Sequence, residues 1–305
     1  MMVISEVGCN FAVNLKKITS LLMNILKNVQ IHSAEALPIL IDVYFKTTRK
    51  AKPVVVFCHG FKTFKDWGTM DLIAKEFVNN DFVFLKFNFS HNGTTVENPN
   101  VITDPENFGN SNIQNEMDDM DSVLGWIDHN SDLPLEEVNR ENIYVIGHSR
   151  GGSTAILKAA SDDRIKKLVT WAAFSDFGEI WERYDLKQWE ETGVSWSEDK
   201  YTGKMLPLYY QHYQNYIDNR DKFNIKKAVE TLKIPMLVLH GMEDDKVAFQ
   251  DAIKLKSWNS KVEMSLLPNT NHNFGSYHPY KKTTLPFDTK IAVKDSVDFF
   301  RGRFV

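Results

Sequence analysis

Short β-rich runs, several of them apolar on consecutive positions, alternate along this chain with longer stretches whose apolar residues recur at helical spacing, and few architectures accept that alternation. The runs fall at 39–45, 54–58, 82–87, 143–146, 168–172, 236–239 and 262–267. A strand that is apolar on successive positions must be covered on both faces. The stretches at 70–78, 113–127, 154–160, 247–258 and 291–300 carry the helical spacing that would supply the cover. The expectation is an α/β protein built from βαβ units, with a mostly parallel central sheet flanked by helices.

One segment breaks the alternation. From 174 to 226 no convincing strand is legible, and aromatics crowd it, among them Phe174, Phe177, Trp181, Tyr184, Trp189, Trp196, Tyr201 and Tyr216. An insertion of this size between two sheet strands must pack its own small core against the main domain. We read it as a helical cap insertion whose rings fill that core or form an aromatic wall over a substrate pocket. The expected organisation is a leader at 1–28, a core made of 29–173 and 227–305, and the cap at 174–226. The leader is short and amphipathic, with a helix one conformation open to it, because Asn24 interrupts the apolar run and no signal cleavage site follows.

Composition narrows the function classes. With 305 residues, 43% hydrophobic and 25% charged, the chain can bury one large core plus an insertion. A net charge of −4 offers no basic field for nucleic acid or an anionic membrane surface, so neither is expected as a partner. The two cysteines, Cys9 and Cys58, do not make a disulfide framework, which fits a reducing, cytoplasmic setting. The sequons at Asn88 and Asn92 read as chance, and the acids Glu116, Asp118, Asp119 and Asp121 read as a solvated helix face. Oligomeric state is not legible.

The chemical signal is Gly147-His148-Ser149-Arg150-Gly151-Gly152, set between an apolar run and a helical pattern. In that setting a G-x-S-x-G turn holds a serine in strained backbone geometry at a helix N-terminus, with its hydroxyl lifted clear of the sheet. Ser149 is the candidate nucleophile. His59-Gly60-Phe61 follows an earlier strand, so the N–H groups of Phe61 and Arg150 are candidates for an oxyanion hole. His240-Gly241-Met242-Glu243-Asp244-Asp245 closes another apolar run, and Asp244 is the favoured acid, with Asp245 and Glu243 as competitors and Asp245 also a candidate helix cap. His272, on the loop after 262–267, satisfies the chain order Ser, Asp, His, and His278 is its nearest competitor.

On these motifs the chain resembles bacterial serine hydrolases of the α/β-hydrolase superfamily, near the dienelactone-hydrolase-like and acyl-peptidase-like esterases. The similar stretches also include Lys65-Asp66-Trp67, the run 87–93, Phe274-Gly275 and His278-Pro279, so that the likeness covers roughly residues 50 to 280. Thr63 stands where relatives often carry glycine. The resemblance implies hydrolysis of a small-molecule ester through an acyl-enzyme, with no metal and no cofactor. Zinc spacing, a P-loop and H-E-x-x-H are absent from the sequence, in keeping with that. Peptide or amide hydrolysis is the second reading, disfavoured because peptidases of this type use a gating domain and none fits ahead of residue 30. A non-catalytic binding protein on the same fold is the third, disfavoured because all candidate residues are present.

Overall fold

The computed structural model describes residues 23–129 and 133–304. In chain order the strands among them are β1 (Met23–His32), β2 (Pro38–Lys46), β3 (Lys52–Cys58), β4 (Val83–Phe87), β5 (Val138–His148), β6 (Ile165–Trp171), β7 (Val194–Glu198), β8 (Met205–Tyr209), β9 (Met236–Gly241) and β10 (Val262–Leu267). The helices are α1 (Met70–Asn79), α2 (Pro105–Gly109), α3 (Ile113–His129), α4 (Arg150–Ser161), α5 (Gly178–Trp181), α6 (Leu186–Thr192), α7 (Gln211–Asp218), α8 (Ile225–Thr231), α9 (Gln250–Trp258) and α10 (Phe287–Phe300). An eight-stranded sheet runs β1-β2-β4-β3-β5-β6-β9-β10, with β7 and β8 paired apart from it. β1 and β2 are antiparallel to their neighbours, and from β4 across to β10 the strands of the sheet are parallel. This is the α/β-hydrolase fold.

The unbroken apolar runs are explained by how each strand divides its side chains. Val54, Val56 and Cys58 of β3 enter one cluster with Ile143 and Val145 of β5 and with Met120, Leu124 and Ile156 of α3 and α4. Val55 and Phe57 enter the other, with Tyr144, Ile146, Leu237 and Leu239 and with Phe77 and Val293 of α1 and α10. Successive side chains point to opposite faces. Both faces are roofed by helices, so both must be apolar.

After β3 the chain goes to β4 on one side and then crosses to β5 on the other. The loops after β3 and β5 therefore diverge, which opens a crevice at the carboxyl edge of the sheet, where open parallel sheets keep their ligands. The loops after β9 and β10 emerge at that same edge.

Several expectations need correction. Of the leader at 1–28, residues 1–22 lie outside the described residues, but 23–28 belong to β1 and are not helical. β1 is a half-exposed edge strand interrupted by polar residues and by a bulge between Leu26 and Val29, so its alternation is weak. The insertion is not wholly helical either: it carries α5, α6 and α7 and also the β7/β8 hairpin, and α8 straddles its end. Its rings pack on one another, with Trp181 5.2 Å from His212 and 5.5 Å from both Tyr213 and Tyr216, and are continuous with the core on one face of the sheet. The helix expected at 247–258 begins at Gln250, and the residues before it form a turn. Among the described residues no helix is long and apolar enough to cross a membrane.

The acids of α3 do not all face solvent. Glu116 and Asp119 lie three residues apart, on the row that also carries Val123 inward, and they are 8% and 1% exposed. Asp118 and Asp121 fall outside that row; Asp121 is 61% exposed at its side chain. Burial pushes the Asp119 carboxyl up to about 7, against the pull of the Ser90 amide, which donates to it at 2.7 Å.

That shift predicts a pH dependence. A folded-state value above the unfolded one means that Asp119 contributes full stability below about pH 4 and loses it as pH rises through about 7. Asp119→Asn keeps an acceptor for Ser90 and cannot ionise. Thermal melts should show the variant gaining on the wild type between pH 5 and pH 8, by roughly 1 to 3 kcal/mol at the upper end; a constant offset would refute the assignment.

Candidate active site

The turn after β5 sets Ser149 at φ 54° and ψ −125°, a region that a side-chain-bearing residue occupies only under constraint. The constraint is visible. The Ser149 amide donates to the Trp171 carbonyl at the end of β6 at 2.8 Å, and its carbonyl accepts from Gly152 N at 2.9 Å as α4 begins. Close approach does the rest: a methyl group added at Gly151 would lie 2.3 Å from the His59 carbonyl oxygen, so only glycine lets the elbow meet the loop after β3.

The carboxylate comes from the turn after β9. Asp244 Oδ1 accepts from the amides of Lys246 at 2.8 Å and Val247 at 2.9 Å, which shapes the turn and fixes the carboxylate plane. A methyl group at Gly241 would lie 2.2 Å from Thr270 O, so this turn and the loop after β10 are in backbone contact. His272 rides on that loop. Its Nδ1 lies 2.8 Å from Asp244 Oδ2, and its Nε2 lies 3.0 Å from Ser149 Oγ.

The proton positions follow from the partners. A carboxylate only accepts, so His272 Nδ1 carries a hydrogen and Nε2 presents a lone pair to the Ser149 hydroxyl. Burial pushes the Asp244 carboxyl up, but hydrogen bonds from His240 and His272 outweigh it and hold the group well below the usual carboxylate range. His240 is the residue that sequence reasoning missed. Its Nε2 lies 3.1 Å from Asp244 Oδ2 and 3.0 Å from Val247 O, so its one N–H is shared between that carbonyl and the carboxylate. Its place four residues before Asp244 was the available signal. His148 is another: burial drives it to about 3, so it stays neutral, and its Nε2 donates to the His272 carbonyl at 2.9 Å.

The competitors stand apart from this chain of contacts. Asp245 is exposed and pairs with Lys246 at 2.6 Å. His278 accepts from the Gly68 amide at 3.0 Å and packs against Tyr201, 4.5 Å between ring centroids. Asn88 and Asn92 are buried, where no glycan fits.

Phe61 and Arg150 both border the cavity above Ser149. The Phe61 amide has no acceptor among the described residues, and the Arg150 amide is the first of α4, where helix geometry leaves N–H groups without intrahelical partners. Thr63, the departure from glycine, donates through Oγ1 to Gly60 O at 2.7 Å and so pins this loop. The cavity has a volume of about 550 Å³ and is roofed by Phe177, Trp181, Tyr184 and Leu208 of the insertion. Chemically, the arrangement offers a polarised hydroxyl, a base to take its proton and free N–H donors beside it.

The sequence matches the Prolyl oligopeptidase family over residues 108–285. Est1E from Butyrivibrio proteoclasticus, solved with ferulic acid bound, superposes with a TM-score of 0.69 at 16% identity, covering 90% of this chain and 98% of that one. The acylaminoacyl peptidase of Pyrococcus horikoshii superposes with a TM-score of 0.64 at 15% identity, covering 100% of this chain and 44% of that one. The 2,6-dihydropseudooxynicotine hydrolase of Paenarthrobacter nicotinovorans is 28% identical over 123 residues, which is 39% of this chain. The match spans only 29% of that curated relative.

Gly151→Ala should lower stability by about 3 kcal/mol, because the new methyl group meets backbone that cannot move aside. Gly125→Ala in α3, where the nearest atom is Arg164 Nη1 at 3.8 Å, should be neutral or stabilise by up to about 1 kcal/mol. Thermal melts of the two variants, run together, check the pair; equal effects would mean that the elbow is not packed against the His59 carbonyl.

Proposed function

Because this chain belongs to the prolyl oligopeptidase family of α/β-fold serine hydrolases, we propose that it cleaves small carboxylic esters, with Ser149 as nucleophile, His272 as general base and Asp244 as the acid that orients it. The observation that carries this reading is the continuous chain from Asp244 Oδ2 through His272 to Ser149 Oγ, at 2.8 and 3.0 Å, at the foot of a roofed cavity.

The steps follow from the geometry. His272 Nε2 takes the Ser149 proton as Oγ adds to the ester carbonyl, while Asp244 compensates the charge that appears on the imidazole. The N–H groups of Phe61 and Arg150 receive the developing oxyanion, and the start of α4 favours negative charge there. His272 then gives its proton to the leaving alkoxide, an acyl-enzyme forms, and water repeats the attack under the same base.

Two features favour an ester of modest size over a peptide. The residues at 174–226 act as a cap, since Trp181, Tyr184 and Leu208 close over the cavity. The hairpin is also latched to the loop after β3, through Lys62 Nζ donating to Glu198 O at 2.8 Å. A polypeptide would have to thread beneath that latch. An ester with an aromatic or short acyl group fits a cavity of about 550 Å³ lined by rings. The ferulic acid held by Est1E is a ligand of that size class.

Fluorophosphonate labelling followed by peptide mapping tests the nucleophile: label on Ser149 is expected, and label elsewhere or none refutes it. Ser149→Ala should lower ester turnover about a millionfold with the fold intact. Asp244→Asn should lower it roughly ten-thousandfold, because an amide neither holds the imidazole tautomer nor compensates its charge. Asp245→Asn should be mild. Steady-state kinetics on both acid variants, with melts to confirm folding, would reverse the assignment of the acid if Asp245→Asn proved the severe one.

A further inference from the structure

Arg150 makes the candidate oxyanion donor with its amide, but its side chain has no completed role. It is 4% exposed and borders the cavity. Its Nε lies 2.8 Å from Glu116 Oε1 as an ion pair, with the N–H directed too far off that axis for a hydrogen bond. Glu116 itself is shared, its Oε2 accepting from Thr154 Oγ1 at 2.7 Å. The far end of the guanidinium is left over. Nη1, at that end, makes no hydrogen bond to a described residue, while Nη2, on the same edge as Nε, is buried with no acceptor, and the group lies over the Phe61 ring with Cζ 4.9 Å from its centroid.

A guanidinium dedicated to Glu116 would meet the carboxylate with two parallel N–H groups, which is the stable bidentate arrangement. Here the closest approach is through Nε, and neither Nε nor Nη2 completes a hydrogen bond. Buried donors without acceptors are costly, and a ligand oxygen in the cavity that Arg150 borders would relieve that cost. The cavity walls point to what arrives. Lys62, Arg183, Lys200 and Lys246 border the same space against Glu198 and Asp199, a basic lining in a chain of net charge −4. Glu116 already offsets the charge of Arg150, so a neutral oxygen acceptor is enough.

We propose that Arg150 reads an oxygen acceptor on the acyl portion of the substrate, so that esters carrying a carbonyl or carboxylate oxygen along the acyl chain are selected over plain alkyl esters. The inference rests on the reading of Ser149 as nucleophile and narrows its substrate class. The acyl side is chosen because the leaving group must face His272, which protonates it. Arg150 instead neighbours Phe61, Tyr184 and His212, and burial first and the charge of Arg150 after it keep His212 neutral.

The test compares p-nitrophenyl esters of matched length: pentanoate, levulinate with a ketone oxygen, and monoglutarate with a carboxylate. In the wild type, kcat/KM for levulinate or monoglutarate should exceed that for pentanoate by about tenfold or more. In Arg150→Met the ratio should fall to within about twofold, and Arg150→Lys, which keeps donors without the planar fork, should lie between. A preference for levulinate identifies a neutral acceptor and one confined to monoglutarate identifies a charged one; either supports the inference. Equal rates in the wild type, or a preference that survives in Arg150→Met, overturns it. Calorimetric binding of free levulinate and pentanoate to the same three proteins asks the question without turnover. If no ester were hydrolysed and Ser149 resisted fluorophosphonate, the proposed function would fail, whereas equal binding of the two acids would overturn the role of Arg150 by itself.

Discussion

The amide of Ser149 donates to the carbonyl of Trp171 across 2.8 Å, and the site depends on that bond. It ties the end of β5 to the end of β6 at the point where the backbone leaves its allowed basin, so the strain at φ 54° is held by the sheet itself. Everything else is built outward from this fixed turn. Gly151 lets the elbow touch the loop after β3, and Gly241 lets the turn after β9 touch the loop after β10. Four loops from four parallel strands thereby share one small volume at one edge of the sheet.

Burial gives the polar groups there their character. Asp244 is fully enclosed, yet it remains ionised because two imidazoles and two amides donate to it. Asp119 accepts from Ser90 with acids for neighbours, and burial instead pushes it toward its neutral form. A second buried network stands away from the site: Asp42, fully buried, accepts from Lys65 Nζ at 2.9 Å and lies 3.5 Å from Lys86 Nζ. Lys86 also contacts Asp66 and Asp71, so this group of three acids is matched by cations from neighbouring elements and reads as structural.

The insertion combines two duties that its aromatic composition left open. Trp189 faces inward, its Nε1 donating to Leu208 O at 2.8 Å, and with Trp181 and Tyr216 it forms the core that lets the segment fold. Tyr184 and one face of Trp181 turn toward the cavity. Trp196 does neither and is 56% exposed. A ring count in sequence cannot make that division, because it depends on which side of a short helix or hairpin each ring occupies.

Sequence by itself determined the parts that local chemistry dictates. Unbroken apolar runs demand a sheet covered on both faces, the glycines of 147–152 demand a tight strand-to-helix turn, and Ser149, Asp244 and His272 are each legible as loop residues after strands. Only the tertiary structure decided what joins them. That Asp244 and not Asp245 meets His272 depends on one side chain turning inward over Gly241, and adjacent residues in a turn have no periodic pattern to separate them. Edge strand β1 and the β7/β8 hairpin were illegible because a bulge and polar residues break the alternation of β1 and each hairpin strand is only five residues long. Glu116 looked like one acid of a solvated face until α3 was packed. Its pairing with Arg150, on the next helix, is set by how α3 lies against α4, and no local rule anticipates that.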